Sequence, residues 1–92
     1  MRNDLAETYR IVQGSHALAQ FALEFNVKFR LWNNSTIIFL ATRNLIELKE
    51  FEIILNRLRK DFTSFREPDL NGQLTAIACY DNGQIFKNLR TA

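Results

Sequence analysis

Apolar and polar positions follow several distinct rhythms along this chain, and each rhythm predicts an element. Over residues 9–25 (YRIVQGSHALAQFALEF), Ile11, Ser15, Leu18, Ala22 and Phe25 recur at helical spacing beside Val12, Phe21 and Leu23. The spacing predicts an amphipathic helix. Tyr9, Gln13, His16, Gln20 and Glu24 form its complementary polar stripe. Gly14 inside this helix costs about 1 kcal/mol relative to Ala, which implies close approach by another backbone or a ligand, or packing against a strand. Residues 35–42 (STIIFLAT) are a continuous apolar run with β-branched residues at its start. That run predicts a strand covered on both faces.

Asn44-Leu45-Ile46-Glu47 has the form of an N-cap with its capping-box partner. It opens a helix expected over 44–62, with Leu45, Leu48, Phe51, Leu55, Leu58 and Phe62 on one face. Glu47 and Glu50 lie early in it and Arg57, Arg59 and Lys60 late, as the helix dipole favours. A short strand is expected over 63–67, followed by a concentrated turn signal at Pro68-Asp69-Leu70-Asn71-Gly72. Residues 73–80 (QLTAIACY) predict a further strand, Asp81-Asn82-Gly83 a break, and 84–90 a helical turn or two. The stretch 27–32 fits two readings. Val27, Phe29 and Leu31 alternate as in a strand, with Asn33-Asn34 as its turn; the other reading is an irregular connection with Trp32 on the core.

A strand at 35–42, a helix at 44–62 and a strand at 63–67 make a right-handed crossover. With helix 9–25 on the other face, the expected fold is α/β: a small mixed sheet of about three to four strands flanked by helices. Ninety-two residues form a single domain, 1–92, and the 47% hydrophobic content with eight Phe suits a compact interior. One cysteine, Cys79, allows neither an internal disulfide nor a cysteine metal cage. No apolar run approaches membrane-spanning length, and the first residues lack a signal-peptide layout, so the expected location is the cytoplasm, without a membrane partner. Twelve basic against ten acidic residues leave a net charge of +2 and no dense basic stripe. Strong non-specific nucleic-acid binding is therefore not expected from charge alone.

Catalytic signatures of the common kinds are missing, among them the phosphate-binding Gly-rich loop, G-x-S-x-G and H-E-x-x-H. The single histidine, His16, lies on the polar side of a helix, where a solvated or locally bonded role is the simpler one. Cys79 in an apolar strand is expected to be core. Glu67, Asp69 and Asp61 could supply a general base or a metal site, although turn geometry explains Asp69 and Asn71 more simply. Arg57, Arg59 and Lys60 form a basic helix end that could meet phosphate.

Two segments resemble the type-two peptidyl-tRNA hydrolase family. Arg2-Asn3-Asp4-Leu5 followed by Gln13-Gly14-Ser15-His16-Ala17 is similar to its R-x-D-L and Q-x-x-H-A opening. Phe65-Arg66-Glu67-Pro68-Asp69-Leu70 through Leu74-Thr75-Ala76-Ile77-Ala78 looks like a short, divergent subgroup, as does Trp32-Asn33-Asn34 before the apolar run. In that subgroup the stretch before the Trp is a helix end and loop, which favours the irregular reading of 27–32. The resemblance implies a peptidyl-tRNA hydrolase-like fold, a relationship to cleavage of the peptide–tRNA ester, no cofactor, and tRNA as partner. The family's helix Gln carries over to Gln13. Its G-K pair falls on Thr8-Tyr9, with Arg10 one place along, and its D-x-G-x-T segment is replaced by Glu67-Pro68-Asp69-Leu70. Arg does not replace Lys where a proton or fixed point charge is needed. These departures predict weak or absent catalysis with a binding surface at Arg10, Gln13, His16 and loop 67–71, Asn71 included. In an active enzyme, Arg10 and Gln13 would orient substrate while Glu67 or Asp69 activates water. The family's first strand precedes R-x-D-L, where this chain has only Met1. A lost or upstream first strand would leave an open sheet edge, suited to homodimer pairing.

Overall fold

The computed structural model describes residues 1–81 and 83–91. Three helices and four short strands follow one another: α1 (Glu7–Glu24), α2 (Asn26–Trp32), β1 (Leu40–Ala41), α3 (Leu45–Arg57), β2 (Phe62–Glu67), β3 (Gln73–Cys79) and β4 (Arg90–Thr91). One-turn 3-10 helices stand at Pro68–Leu70 and Gln84–Phe86. The second falls where a helical turn is expected; of the break before it, Asn82 lies outside the described residues.

β2 and β3 form an antiparallel hairpin across the predicted turn. Pro68 opens the 3-10 turn, and Asn71 (φ 56°) and Gly72 (φ 75°) take the left-handed conformations that reverse the chain. The ladder runs from Phe62↔Cys79 to Phe65↔Ala76, then resumes at Arg66↔Leu74. Thr75 is therefore the extra residue of a β-bulge. A bulge breaks the alternation of faces, and Leu74, Thr75 and Ala76 are all fully buried. α1 and α3 both pack against β3, with Phe21 and Ala17 of α1 and Leu48 and Leu55 of α3 in the core.

The N-terminal cap of α3 agrees with the sequence pattern: the Asn44 side chain accepts from Glu47 N–H at 3.0 Å. The Glu47 carboxylate reaches back to Arg43 N–H, one residue before the cap. The helix ends at Arg57, earlier than the apolar spacing extends. Arg59 turns left-handed (φ 54°), and its N–H and that of Lys60 bond to the carbonyls of Asn56 and Leu55. That closing pattern is a Schellman motif, and it frees Phe62 to start β2.

Four expectations need correction. The strand at 35–42 contracts to Leu40–Ala41, because only this end has ladder neighbours. β4 pairs with β1 on one side. On the other, residues 1–3 run parallel to Thr42, with Thr42 N–H on Met1 O (2.7 Å) and Asn3 N–H on Thr42 O (2.8 Å). The edge expected to lie open beside R-x-D-L is thus occupied by these residues. β1 and β2 are not paired, so the predicted crossover within one mixed sheet of three to four strands gives way to two separate antiparallel pairs, β1–β4 and β2–β3. Residues 27–32 are helical rather than irregular. In α2, Phe29 and Trp32 are one turn apart and in contact (5.7 Å between ring centroids), and Asn33 closes the helix in the left-handed region.

The buried face of α1 is also rotated from the predicted stripe, onto Gln13, Gly14, Ala17 and Phe21. Ile11 and Leu23 of the apolar stripe are 55% and 83% exposed, whereas Gln13 of the polar stripe is 1% exposed. The hydroxyl-bearing face of the hairpin takes the polar stripe because it can satisfy it. Gly14 lies against side chains rather than a strand backbone, since a Cβ there would meet Met1 Sδ at 2.6 Å and Phe39 Cε1 at 3.3 Å.

Candidate functional site

The polar stripe of α1 and the hairpin meet along a seam of side-chain bonds. At its centre the Thr75 hydroxyl donates to Gln13 Oε1 at 2.5 Å, with both residues buried. The bulge in β3 aims this hydroxyl at the helix. One turn along, the His16 ring stacks on Phe65 (4.8 Å between centroids, 9° between planes). Farther still, Gln20 Nε2 donates to Ser64 O (3.4 Å) and the Thr63 hydroxyl to Glu24 Oε1 (2.7 Å). The polar stripe of α1 thus bonds to the hairpin along its length, with Gln13 buried and His16 and Glu24 still exposed. Every buried side-chain polar atom among the described residues has a partner.

The N-terminal segment closes one end of the seam. The buried Arg2 guanidinium donates to both Asp4 carboxylate oxygens, to Gln73 Oε1, and to the Leu74 carbonyl (3.3 Å). Its hydrogen bond holds the Asp4 carboxyl below the usual carboxylate range. Arg10 donates to Asn3 Oδ1. Tyr9 sits among carboxylates at this end: burial first, then the charges of Glu67 and Asp69, push its phenol above its ordinary range. Tyr9 thus stays a neutral donor at physiological pH.

Gln13 and His16 reach the hairpin, and Tyr9 feels both Glu67 and Asp69. Asn71 stands outside the cluster as the left-handed cap of the 3-10 turn. Asp61 lies elsewhere, 3.9 Å from Lys28 Nζ. Of the basic trio, Arg59 shapes the end of α3 and Lys60 pairs with Asp81 at 2.9 Å. The pattern of the chain did not mark out Arg2 and Thr75 as partners. The usable signals were an Arg-x-Asp pair that fits a bidentate bond at close range and a lone Thr inside an apolar strand.

Chemically, the cluster offers a buried amide–hydroxyl pair, a neutral phenol and two carboxylates at the hairpin turn. Among the described residues, no three or more His, Cys, Asp or Glu side chains stand close enough to hold a metal ion. No described helix is long and apolar enough to cross a membrane. A separate cavity of about 420 Å³ lies among apolar residues and touches none of the candidate residues above. Compared with family profiles, curated proteins and solved structures, the chain matches none.

Proposed function

We propose that this chain is a peptidyl-tRNA hydrolase-like domain, weakly catalytic or non-catalytic, with a tRNA-related binding role in the cytoplasm. The observation that carries this reading is a convergence. The segments bearing the resemblance, distant in sequence, meet in one place, Arg2 with Gln73 and Leu74 and Gln13 with Thr75. Weak catalysis follows from the chemistry of the same cluster. Gln13 is buried with its oxygen committed to Thr75, and Arg10 is engaged by Asn3. Contact with RNA phosphate then falls to Arg10, while loop 67–71, which carries the carboxylates Glu67 and Asp69, is left to meet neutral RNA groups such as ribose hydroxyls.

Filter binding of tRNA at low and physiological salt tests the reading. Binding is expected at low salt and should weaken as salt rises, as few phosphate contacts require. No binding at either salt removes the nucleic-acid role. Turnover of a model peptidyl-tRNA is expected near background; brisk turnover lost in Gln13→Ala and Asp69→Ala would instead establish an active hydrolase. A second reading, a structural homodimer, is favoured by one observation: among the described residues β2 pairs with β3 alone. Light scattering that finds a monomer at high concentration removes it.

A further inference from the structure

We infer that the cavity beneath residues 33–39 is a binding site for an uncharged, apolar small molecule of alkyl or aromatic type. The cavity measures about 420 Å³ and lies between α1, α3, the end of β3 and the irregular segment before β1. Phe21, Phe29, Trp32, Phe51 and Phe86 supply aromatic walls, and Leu55 and Ile77 supply aliphatic ones. This volume falls within the range of small-molecule pockets, which are mostly apolar with few polar groups. An apolar space of such size lacks partner atoms on one side, so its lining gains dispersion contacts when a ligand enters.

Charge selects among ligands. No Lys or Arg is among the described residues lining the cavity, and its one acidic residue is Asp81. Both Asp81 oxygens are engaged, Oδ1 by Lys60 Nζ at 2.9 Å and Oδ2 by Gly83 N–H at 3.1 Å. The Met1 amine also lies in the lining, donating to Leu40 O at 3.0 Å, and burial followed by the Arg10 charge lowers its pKa to about 6. At pH 8 it is neutral, so an anionic head group would find no cation inside and a carboxylate at the rim; a neutral molecule meets neither penalty. The covering segment suits a movable wall. Asn33 and Asn34 are both left-handed (φ 51°), Trp32 Nε1 donates to Thr36 O at 2.7 Å, and Ile37, Ile38 and Phe39 join no ladder. Ile38 remains 64% exposed, so the segment stands over the cavity without filling it.

Trp32 is the only tryptophan and lines the cavity, so its emission reports occupancy directly. The experiment titrates the protein with N-phenyl-1-naphthylamine, a neutral probe, following Trp32 quenching, and then displaces it with 1-decanol or decanoate. Saturable one-to-one quenching is expected, with decanol displacing at a concentration at least tenfold below decanoate. Decanol should also slow alkylation of Cys79, which shares the lining. Ala78→Phe, which fills the space, should lose the quenching. Because that variant could fail to fold, Ile38→Asp is the second: it alters only an exposed position, and should weaken the probe severalfold. Absence of saturable quenching in a cooperatively melting protein overturns the proposal, as does binding unchanged in both folded variants. Probe binding that weakens as protein concentration rises, in step with dimer formation, gives the cavity to a second copy and equally overturns it.

Discussion

Cys79 stands at the end of β3 beside Asp81, and burial followed by the Asp81 charge pushes its thiol up to about 11. A thiol that keeps its proton longer in the folded state than in the unfolded chain contributes stability that is complete below pH 9.0. That contribution is lost as pH rises toward 11. Lys60, whose bond to Asp81 raises its pKa, also loses its contribution at high pH, so the thiol must be isolated by difference. Denaturation midpoints measured from pH 8 to 11 should fall more steeply in the native protein than in Cys79→Ala. Asp4 works in the opposite direction. Its pKa is lowered by Arg2, so its stabilisation is present above the ordinary carboxylate value and disappears as pH falls through the lowered one. Asp4→Asn should flatten the acid limb of the stability curve below about pH 4, leaving the neutral value reduced. An unchanged acid limb would mean that the Arg2 bond does not persist in solution.

The elements differ in how far they are written locally. Asn44 capping α3 and the Pro68–Gly72 turn of the hairpin are set by neighbouring residues, and both are legible in the sequence. The end of α3 is local too, but its left-handed position holds Arg59 instead of glycine, so the usual stop signal is missing. Arg59→Gly should relieve that conformation and stabilise the protein by about 0.5–1 kcal/mol in urea denaturation. The seam between α1 and the hairpin is not local. Periodicity located the α1 stripes but could not say that the buried face would run through Gln13, because Thr75, which satisfies it, lies far along the chain. For the same reason Gln13 and loop 67–71 were legible as candidates, while Arg2 and Thr75 were not. Gln13→Leu and Thr75→Val should each cost about 1–3 kcal/mol by leaving the other group unsatisfied. The double variant should cost clearly less than the sum, with a coupling of about 0.5–3 kcal/mol. Simple additivity would dissolve the seam as a unit.

At the scale of the molecule, two small sheets are joined by a side chain. Arg2 belongs to the segment paired with β1, and its guanidinium bonds Gln73 and Leu74 of β3. Arg2→Met keeps much of the volume but leaves the Leu74 carbonyl without that donor, so a loss of about 1–3 kcal/mol is expected in chemical denaturation. Arg2→Lys should recover only part of it, because one ammonium does not reproduce the planar fork. The two residues of β1 are held from both directions, by residues 1–3 on one side and by Arg90 and Thr91 on the other. During synthesis, Leu40 and Ala41 leave the ribosome some fifty residues before the partners that complete their ladder. The β1–β4 ladder can therefore close only once Arg90 and Thr91 have emerged. A nascent chain stalled before that point would leave Leu40 and Ala41 without the neighbours on one side of their ladder, and emergence of residues 90 and 91 would supply them.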